Sequence, residues 1–302
     1  MPRYQKALFL FNSRAGSEDL EEKLAKTLPI LSQSIKVMTI IQTSSVEEAT
    51  ESCVKFSGEI DLLIIFGGDG TLHACINAVA PLKKRPVIGI LPAGTANDFS
   101  RMLKIPQELE QAARTIAAGN VTEVDIGKAD DRYFLNFWGI GLVAETSQNI
   151  DKDRKKNLGV LSYVMSTIRT VNQAEIFHYE VISEKHSPKG EAVMIMVLNG
   201  KFLGTTELPV PSIRANDGKF DVLIIKESNL AAFRELISMR SPNADREQFT
   251  ELEHFQTSKL KIITSPEKDI DMDGEISGTT PKEITVLPGH LQMIKGMDNE
   301  NG

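Results

Sequence analysis

The feature that most constrains the fold is a rhythm. Through the first 126 residues, apolar runs of strand length alternate with segments whose apolar residues recur every three or four positions. "ALFLF" (Ala7–Phe11) precedes a stretch in which Leu20, Leu24, Leu28 and Leu31 share one helical face. "IKVMTII" follows as a strand, and Ser45 with Glu48 forms a capping box opening the helix "VEEATESCVKF". "DLLIIF" is apolar without alternation, as a strand buried on both faces must be. "TLHACINAVA", "PVIGIL" and "PQELEQAARTIAAGN", which ends at Gly119-Asn120, extend the pattern to helix, strand and helix. Strands spaced by helices at this interval predict an open parallel sheet with helices on its faces.

After Asp125 the texture changes. "RYFLNFW", "IFHYEVIS", "AVMIMVLNG", "KFDVLIIK", "KLKIIT" and "KEITVL" are strand-like, with helical interruptions expected only at Leu158–Val171 and Asn229–Met239. This predicts a second, mainly antiparallel β domain of sandwich type. The charged run "DKDRKKN" (Asp151–Asn157) is expected as a solvated linker, and the final "MDNENG" as a frayed tail.

With 302 residues, two cores are expected rather than one. The formal net charge of −7 works against general binding to nucleic-acid phosphates, so no nucleic-acid partner is expected. The two cysteines, Cys53 and Cys75, have no metal-ligand spacing and read as reduced thiols. The N-terminus lacks the apolar core and cleavage site of a signal peptide, and no apolar run is long enough to span a bilayer.

Two loops carry the chemistry. In "IIFGGDGTLHA" (Ile64–Ala74) a buried strand ends at Gly67-Gly68 and a helix begins near Thr71. Glycines there let backbone approach a ligand, and the N–H groups of the helix start favour phosphate. Asp69 fits there either as a helix cap or as a ligand of Mg²⁺ or its water. "LPAGTANDFSR" (Leu91–Arg101) is a second glycine-bearing turn after a strand, with Thr95, Asn97 and Asp98 before another helix. Two such loops at one edge of a parallel sheet fall where α/β folds bind ligands. No lysine-bearing Walker pattern accompanies them.

"NSRAG", "FGGDGTLHACINAV" and "LPAGTANDFSR", in this order and spacing, resemble the diacylglycerol kinase catalytic domain, above all the bacterial lipid kinases related to sphingosine and ceramide kinases. "ANDGKFDVLII" and "DMDGE" have counterparts there too. The resemblance implies an ATP-dependent lipid kinase using Mg²⁺, with a nucleotide domain over residues 1–127, a β-sandwich lipid domain over 128–287, and residues 288–302 packing back on the first domain. It also implies nucleotide contacts from Asn12, Ser13, Arg14, Ala15 and Gly16, from Thr43, from Gly67, Gly68, Asp69, Gly70, Thr71, Leu72, His73 and Ala74, and from Thr95. Asp69, Asp98 and Asp125 would form a carboxylate and water network around the catalytic Mg²⁺. A separate structural metal would sit at Asp217, with backbone carbonyls near Arg214 and Lys219, and Glu275 would be the general base. The family's usual proline in the first loop is Ser13 here, and its usual Asn-Glu after Gly-Thr-Leu is His73-Ala74. A lipid substrate implies a cytoplasmic protein working peripherally at the inner membrane face. A homodimer is compatible with the sequence.

Two stretches imitate other sites. "DIDMDGEISGTT" opens like an EF-hand loop, but the twelfth position is Thr280 where a bidentate acid is needed, and strands flank it. It reads instead as a strand-end loop presenting Glu275, with Asp269, Asp271 and Asp273 on the exposed face of the strand. "GIGLVAE" (Gly139–Glu145) lacks the acid that a dinucleotide fingerprint needs about 20 residues on, and reads as a turn lining the interdomain cleft. His178 and His186 stand alone and read as structural or exposed. Within enzymes the competing reading is an NAD kinase, though no Gly-Ser-Thr-Ala-Tyr-like turn occurs in the second half. Outside enzymes it is a catalytically silent nucleotide or lipid sensor.

Overall fold

The computed structural model describes residues 2–12, 20–149, 174–241 and 248–297, with backbone alone at 146–149. Ser13, Arg14, Ala15 and Gly16, the run Asp151–Asn157 and the helix expected at Leu158–Val171 lie outside the described residues. The chain divides into two compact units, one formed by the residues up to Val124 with those from Gly289 on, the other by Asp125–Pro288.

The first unit alternates β1 (Tyr4–Asn12), α1 (Leu20–Leu31), β2 (Ile35–Thr43), α2 (Val46–Ser57), β3 (Leu62–Gly67), α3 (Asp69–Val79) and β4 (Val87–Pro92). The short α4 (Asp98–Met102) and α5 (Leu109–Ala118) follow. The strands are parallel in the order β2-β1-β3-β4. β3 is buried along its whole length, which explains its lack of alternation. The capping box forms with one difference. Ser45 accepts the Glu48 N–H at 3.2 Å, while the Glu48 carboxylate reaches back to the Ser44 N–H at 2.7 Å. α5 starts later than expected, capped by Glu108, whose carboxylate accepts from the N–H groups of Glu110 and Gln111. It ends at Gly119 in the left-handed region at φ +68°, a conformation glycine adopts without penalty. Cys53 and Cys75 are buried and free, and their contact, then burial, pushes the Cys75 thiol well up.

The chain's last strand ends in this unit, with Met293 beside Ile88 of β4. Around it, Arg85 donates to the His290 carbonyl at 3.0 Å, and the N–H groups of Lys295 and Gly296 donate to the carbonyls of Asn120 and Leu103.

β5 (Val121–Ala129) carries the chain into the second unit. β6 (Arg132–Phe134), β7 (Phe137–Gly141), α6 (Leu142–Asn149), β8 (Phe177–Ser183), β9 (Lys189–Ala192) and β10 (Met194–Leu198) follow. Next come β11 (Phe202–Leu203), β12 (Thr206–Glu207), β13 (Phe220–Ile225), α7 (Leu230–Ser238) and β14 (Leu252–Thr257). β15 (Lys259–Ser265), β16 (Asp269–Met272), β17 (Glu275–Thr279) and β18 (Lys282–Ile294) complete the chain. One layer is the antiparallel sheet β14-β13-β10-β7-β16-β17. The other runs from the first half of β18 through β15 and β8 to β9, also antiparallel. Between them Trp138, Phe134, Phe177, Phe220, Ile195 and Ile262 form the core, and Phe134 stacks on Phe220 at 5.5 Å between ring centroids. The chain is thus an α/β unit with a parallel sheet and a β-sandwich. The helix expected at Asn229–Met239 is α7, with Asn229 as its N-cap accepting from the Ala232 N–H at 2.9 Å.

"GIGLVAE" is not a turn. Gly139 to Gly141 complete β7, and α6 begins at Leu142. Gly141 sits at φ +76°, and a Cβ there would come 2.2 Å from the Val193 carbonyl oxygen. Its glycines serve a strand-to-helix corner.

Candidate functional site

The parallel register gathers the expected nucleotide residues of the first unit at the carboxyl ends of its strands. Asn12, at the end of β1, stands beside Thr43, at the end of β2. Gly67, at the end of β3, stands beside Pro92, at the end of β4. The order β2-β1-β3-β4 reverses between β1 and β3, which makes this edge the topological switch point, the place where open α/β sheets bind ligands.

The two glycine loops meet backbone to backbone. A Cβ on Gly68 would come 2.9 Å from the Gly94 Cα, and one on Gly94 would come 2.5 Å from the Gly68 Cα. Any other residue would push the loops apart. α3 starts earlier than the sequence suggested, at Asp69 rather than near Thr71, with Gly68 as its N-cap. The first helical bond is the Leu72 N–H to the Gly68 carbonyl at 3.0 Å, so the N–H groups of Asp69, Gly70 and Thr71 precede the helical ladder. Asn97 fixes the facing loop, accepting from the Gly94 N–H and donating to the Gly94 carbonyl, both at 2.9 Å. It does so at φ +54°, a left-handed conformation that asparagine tolerates. Asp98 is buried at the start of α4, and the Asp69 carboxylate accepts from the Phe99 N–H at 3.5 Å, which brings Asp69 and Asp98 together. Thr95 is exposed at the loop tip. Leu72 and His73 are buried on α3, and the Asn77 amide lies 3.3 Å from the His73 ring. The histidine that departs from the family pattern is therefore held by its own helix.

Asp125 belongs with the other unit's turn. Its buried carboxylate accepts the Gly218 N–H at 2.7 Å, and its own N–H donates to the Ala215 carbonyl at 2.7 Å. Asp217 projects from that turn, where burial, then the Asp221 and Asp125 charges, push its carboxyl above the usual range against the Lys219 N–H. Arg214 curls onto the carbonyls of Pro211 and Ile213. Beneath the turn, fully buried Asp221 accepts from His254 at 2.7 Å and Gln256 at 3.2 Å, and also from Ser212. Sequence reasoning passed over this network, because neither His254 nor Ser212 belongs to a motif. A carboxyl kept in negative surroundings fits a hard cation. Among the described residues no three His, Cys, Asp or Glu side chains converge as a ready cage.

Glu275 is exposed as the first residue of β17. β16 and β17 form a two-residue hairpin, with Met272 opposite Glu275 and Asp273-Gly274 at positive φ of 53° and 93°. This is hairpin geometry with no flanking helices, so the segment is not an EF-hand. Asp269 is exposed as expected. Asp271 is fully buried and accepts the Gly274 N–H at 2.7 Å, and Asp273 is half-buried against the 135–137 backbone. Asp271 leaves the exposed face because the β16–β17 register shifts between Asp269 and Asp271, and Asp273 leaves it because it lies in the turn. Nearby, Asn136 Oδ1 and Asn199 Oδ1 are buried with no hydrogen-bond partner among the described residues.

Comparison with known proteins agrees over both units. Residues 6–129 match the family model described as "Diacylglycerol kinase catalytic domain", and residues 139–295 match "YegS C-terminal NAD kinase beta sandwich-like domain". A Staphylococcus aureus (strain MSSA476) protein named "Putative lipid kinase" is 29% identical over 297 residues, 97% of each chain. The "Crystal structure of a putative diacylglycerol kinase from Bacillus anthracis str. Sterne" superimposes with TM-score 0.89 at 40% identity, covering 98% of both chains. A second crystal structure, of a diacylglycerol kinase from the same strain, gives TM-score 0.85 at 38% identity, again covering 98% of both.

Proposed function

The chain belongs to the diacylglycerol kinase family of lipid kinases, and from that premise we propose that it transfers the γ-phosphoryl group of ATP to a lipid hydroxyl, that of diacylglycerol or a related lipid. The observation that carries this reading is the Gly68–Gly94 contact at the start of α3. Filling either glycine would push apart two loops at the amino end of a helix, whose N–H groups and positive potential suit a polyphosphate. Asn12 and Thr43, side by side at the same edge, extend that surface toward the rest of a nucleotide.

Phosphoryl transfer depends on position and charge neutralisation more than on covalent help. Mg²⁺, when bound, supplies part of that neutralisation, with Asp69 and Asp98 as the acids of the first unit able to hold it or its waters. The α3 amides hold and orient phosphate oxygens. Glu275, exposed at its hairpin tip, accepts the proton of the acceptor hydroxyl as the oxygen–phosphorus bond forms. No helix among the described residues is long and apolar enough to cross a membrane, so the lipid is met at an interface.

The test is transfer of label from γ-labelled ATP to a panel of diacylglycerol, other lipid alcohols and NAD, each with and without Mg²⁺. Labelled lipid phosphate is expected. Labelled NADP would replace this reading with an NAD kinase, and no transfer to any acceptor would leave a nucleotide or lipid sensor.

A further inference from the structure

We infer that Asp273 is a positioning residue for Glu275, holding the hairpin tip to the backbone at 135–137; the inference rests on the reading of Glu275 as proton acceptor. One carboxylate makes three bonds to successive amides. Its Oδ2 accepts the Leu135 N–H at 2.7 Å, and its Oδ1 accepts the N–H groups of Asn136 at 2.8 Å and Phe137 at 2.9 Å. The Asp273 N–H returns a bond to the Phe137 carbonyl at 3.1 Å. Consecutive amides turned toward one point make an anion site. Here the anion comes from the chain itself, 136 to 138 residues away in sequence. Charge-assisted bonds of this length belong to the stronger class.

The hairpin needs such an anchor. β17 is the edge strand of its sheet, its pairing with β16 shifts register between Asp269 and Asp271, and no residue of it is fully buried. Packing and ladder alone therefore leave Glu275 weakly fixed, yet a proton acceptor must be held within a fraction of an ångström. Asp273, two residues before Glu275, supplies the missing restraint.

The seat of the clamp is itself braced. The Asn136 carbonyl accepts the N–H groups of Asn199 and Gly200, each at 2.8 Å. Asn199 Nδ2 donates to the Leu135 carbonyl at 2.7 Å and to the Asp125 carbonyl at 2.9 Å. Asp125 in turn holds Gly218 of the Asp217 turn. One chain of bonds thus links the Asp217 turn, Asp125, Asn199 and the 135–137 backbone to the hairpin that carries Glu275.

A double-mutant cycle tests this. Asp273→Asn keeps the left-handed preference that asparagine shares with aspartate, but sets an NH₂ against a backbone N–H and removes the charge. Turnover is expected to fall about 10- to 100-fold with the KM for ATP little changed. In a Glu275→Gln background the same substitution should lower turnover no further, because a residue acting through Glu275 has nothing left to position. Equal losses in both backgrounds would mark a general structural role and overturn the inference, as would wild-type turnover in Asp273→Asn. If that variant does not fold, Asp273→Gly preserves the turn, removes the carboxylate and completes the same cycle. Full turnover in Glu275→Gln alone overturns the underlying reading of Glu275, and the single variant shows it separately.

Discussion

The glycine loops of the first unit and the acidic turns of the second use the same device in opposite directions. At the first, the N–H groups of Asp69, Gly70 and Thr71 precede the helical ladder of α3, and the two loops there meet through glycines. At the second, successive N–H groups at 135–137 and at Gly218 face inward, onto carboxylates of the chain. Clustered amides favour an anion. Where the protein supplies the anion, the cluster fastens two segments together. Under the proposed function, the first loops take theirs from a bound phosphate.

The largest effect expected from breaking this contrast comes from Gly94→Ala. The new Cβ would lie 2.5 Å from the Gly68 Cα and 2.8 Å from the Asn97 amide oxygen. Backbone must move, since no flexible side-chain end can give way. A displacement near one ångström at a phosphate site is expected to cost about a hundredfold in kcat/KM. Nucleotide affinity measured by calorimetry should fall with it, while partition of the whole protein to lipid vesicles should not change. Full ATP affinity in Gly94→Ala would mean that phosphate is held elsewhere.

The contrast also explains what could be read from the sequence. The parallel unit was legible because its elements are local: a buried apolar strand, a Gly-Gly turn and a capped helix lie within a dozen residues of one another. The glycine loops announced themselves because their close backbone approach leaves no room for a Cβ at Gly68 or Gly94. The clamp at Asp273 was not legible. Its partners are main-chain amides more than 130 residues away, and an amide has no residue type to recognise. Alternation placed Asp271 and Asp273 on an exposed face, whereas Asp271 is buried under the turn it caps. The Asp221–His254 pair was hidden for the same reason, with its partners 33 residues apart. Strands β9, β11, β12 and β14 escaped because they are too short or too polar for an apolar run to mark them. Asp125 was placed by resemblance with Asp69 and Asp98, and the structure adds what resemblance could not, its bond to Gly218.

An intermediate effect tests whether the Asp217 turn awaits a cation. The Asp217 carboxylate accepts the Lys219 N–H at 3.1 Å and lies among the charges of Asp221 and Asp125. If Mg²⁺ completes the turn, it stabilises the native state by mass action, about 2.7 kcal/mol at a hundredfold excess over Kd. That corresponds to a rise in Tm of a few degrees, roughly 4–8 °C, for a chain of this size. Asp217→Ala should abolish the rise. An Mg²⁺ response that survives the substitution would move the cation to another site.

The smallest effect concerns Glu145, a carboxylate of the second unit on α6. Its carboxyl is raised above the usual range by burial first, with the Glu175 charge adding to that and the Lys268 charge opposing it. Lys268 is a weak counterweight because its ammonium is already bonded to Glu175 and lies 5.5 Å from the centre of the Phe177 ring. The sign follows from linkage. A carboxyl whose folded-state pKa is raised binds its proton more tightly in the folded than in the unfolded chain. Its contribution to stability is therefore present below the unfolded pKa and lost as pH rises through the folded one. At pH 7 the charged Glu145 is a cost, and Glu145→Gln, which keeps the shape and removes the charge, should raise Tm slightly. The difference should shrink toward zero as pH falls to about 4, where the parent side chain is protonated as well. Asp273→Asn should instead lower Tm at pH 7, because it sets an NH₂ against the three N–H groups that the carboxylate accepts. Thermal melts of Glu145→Gln from pH 4 to 8, with Asp273→Asn at pH 7, check both expectations. A Glu145→Gln protein that melts below its parent at pH 7 would show that attraction to Lys268 outweighs burial.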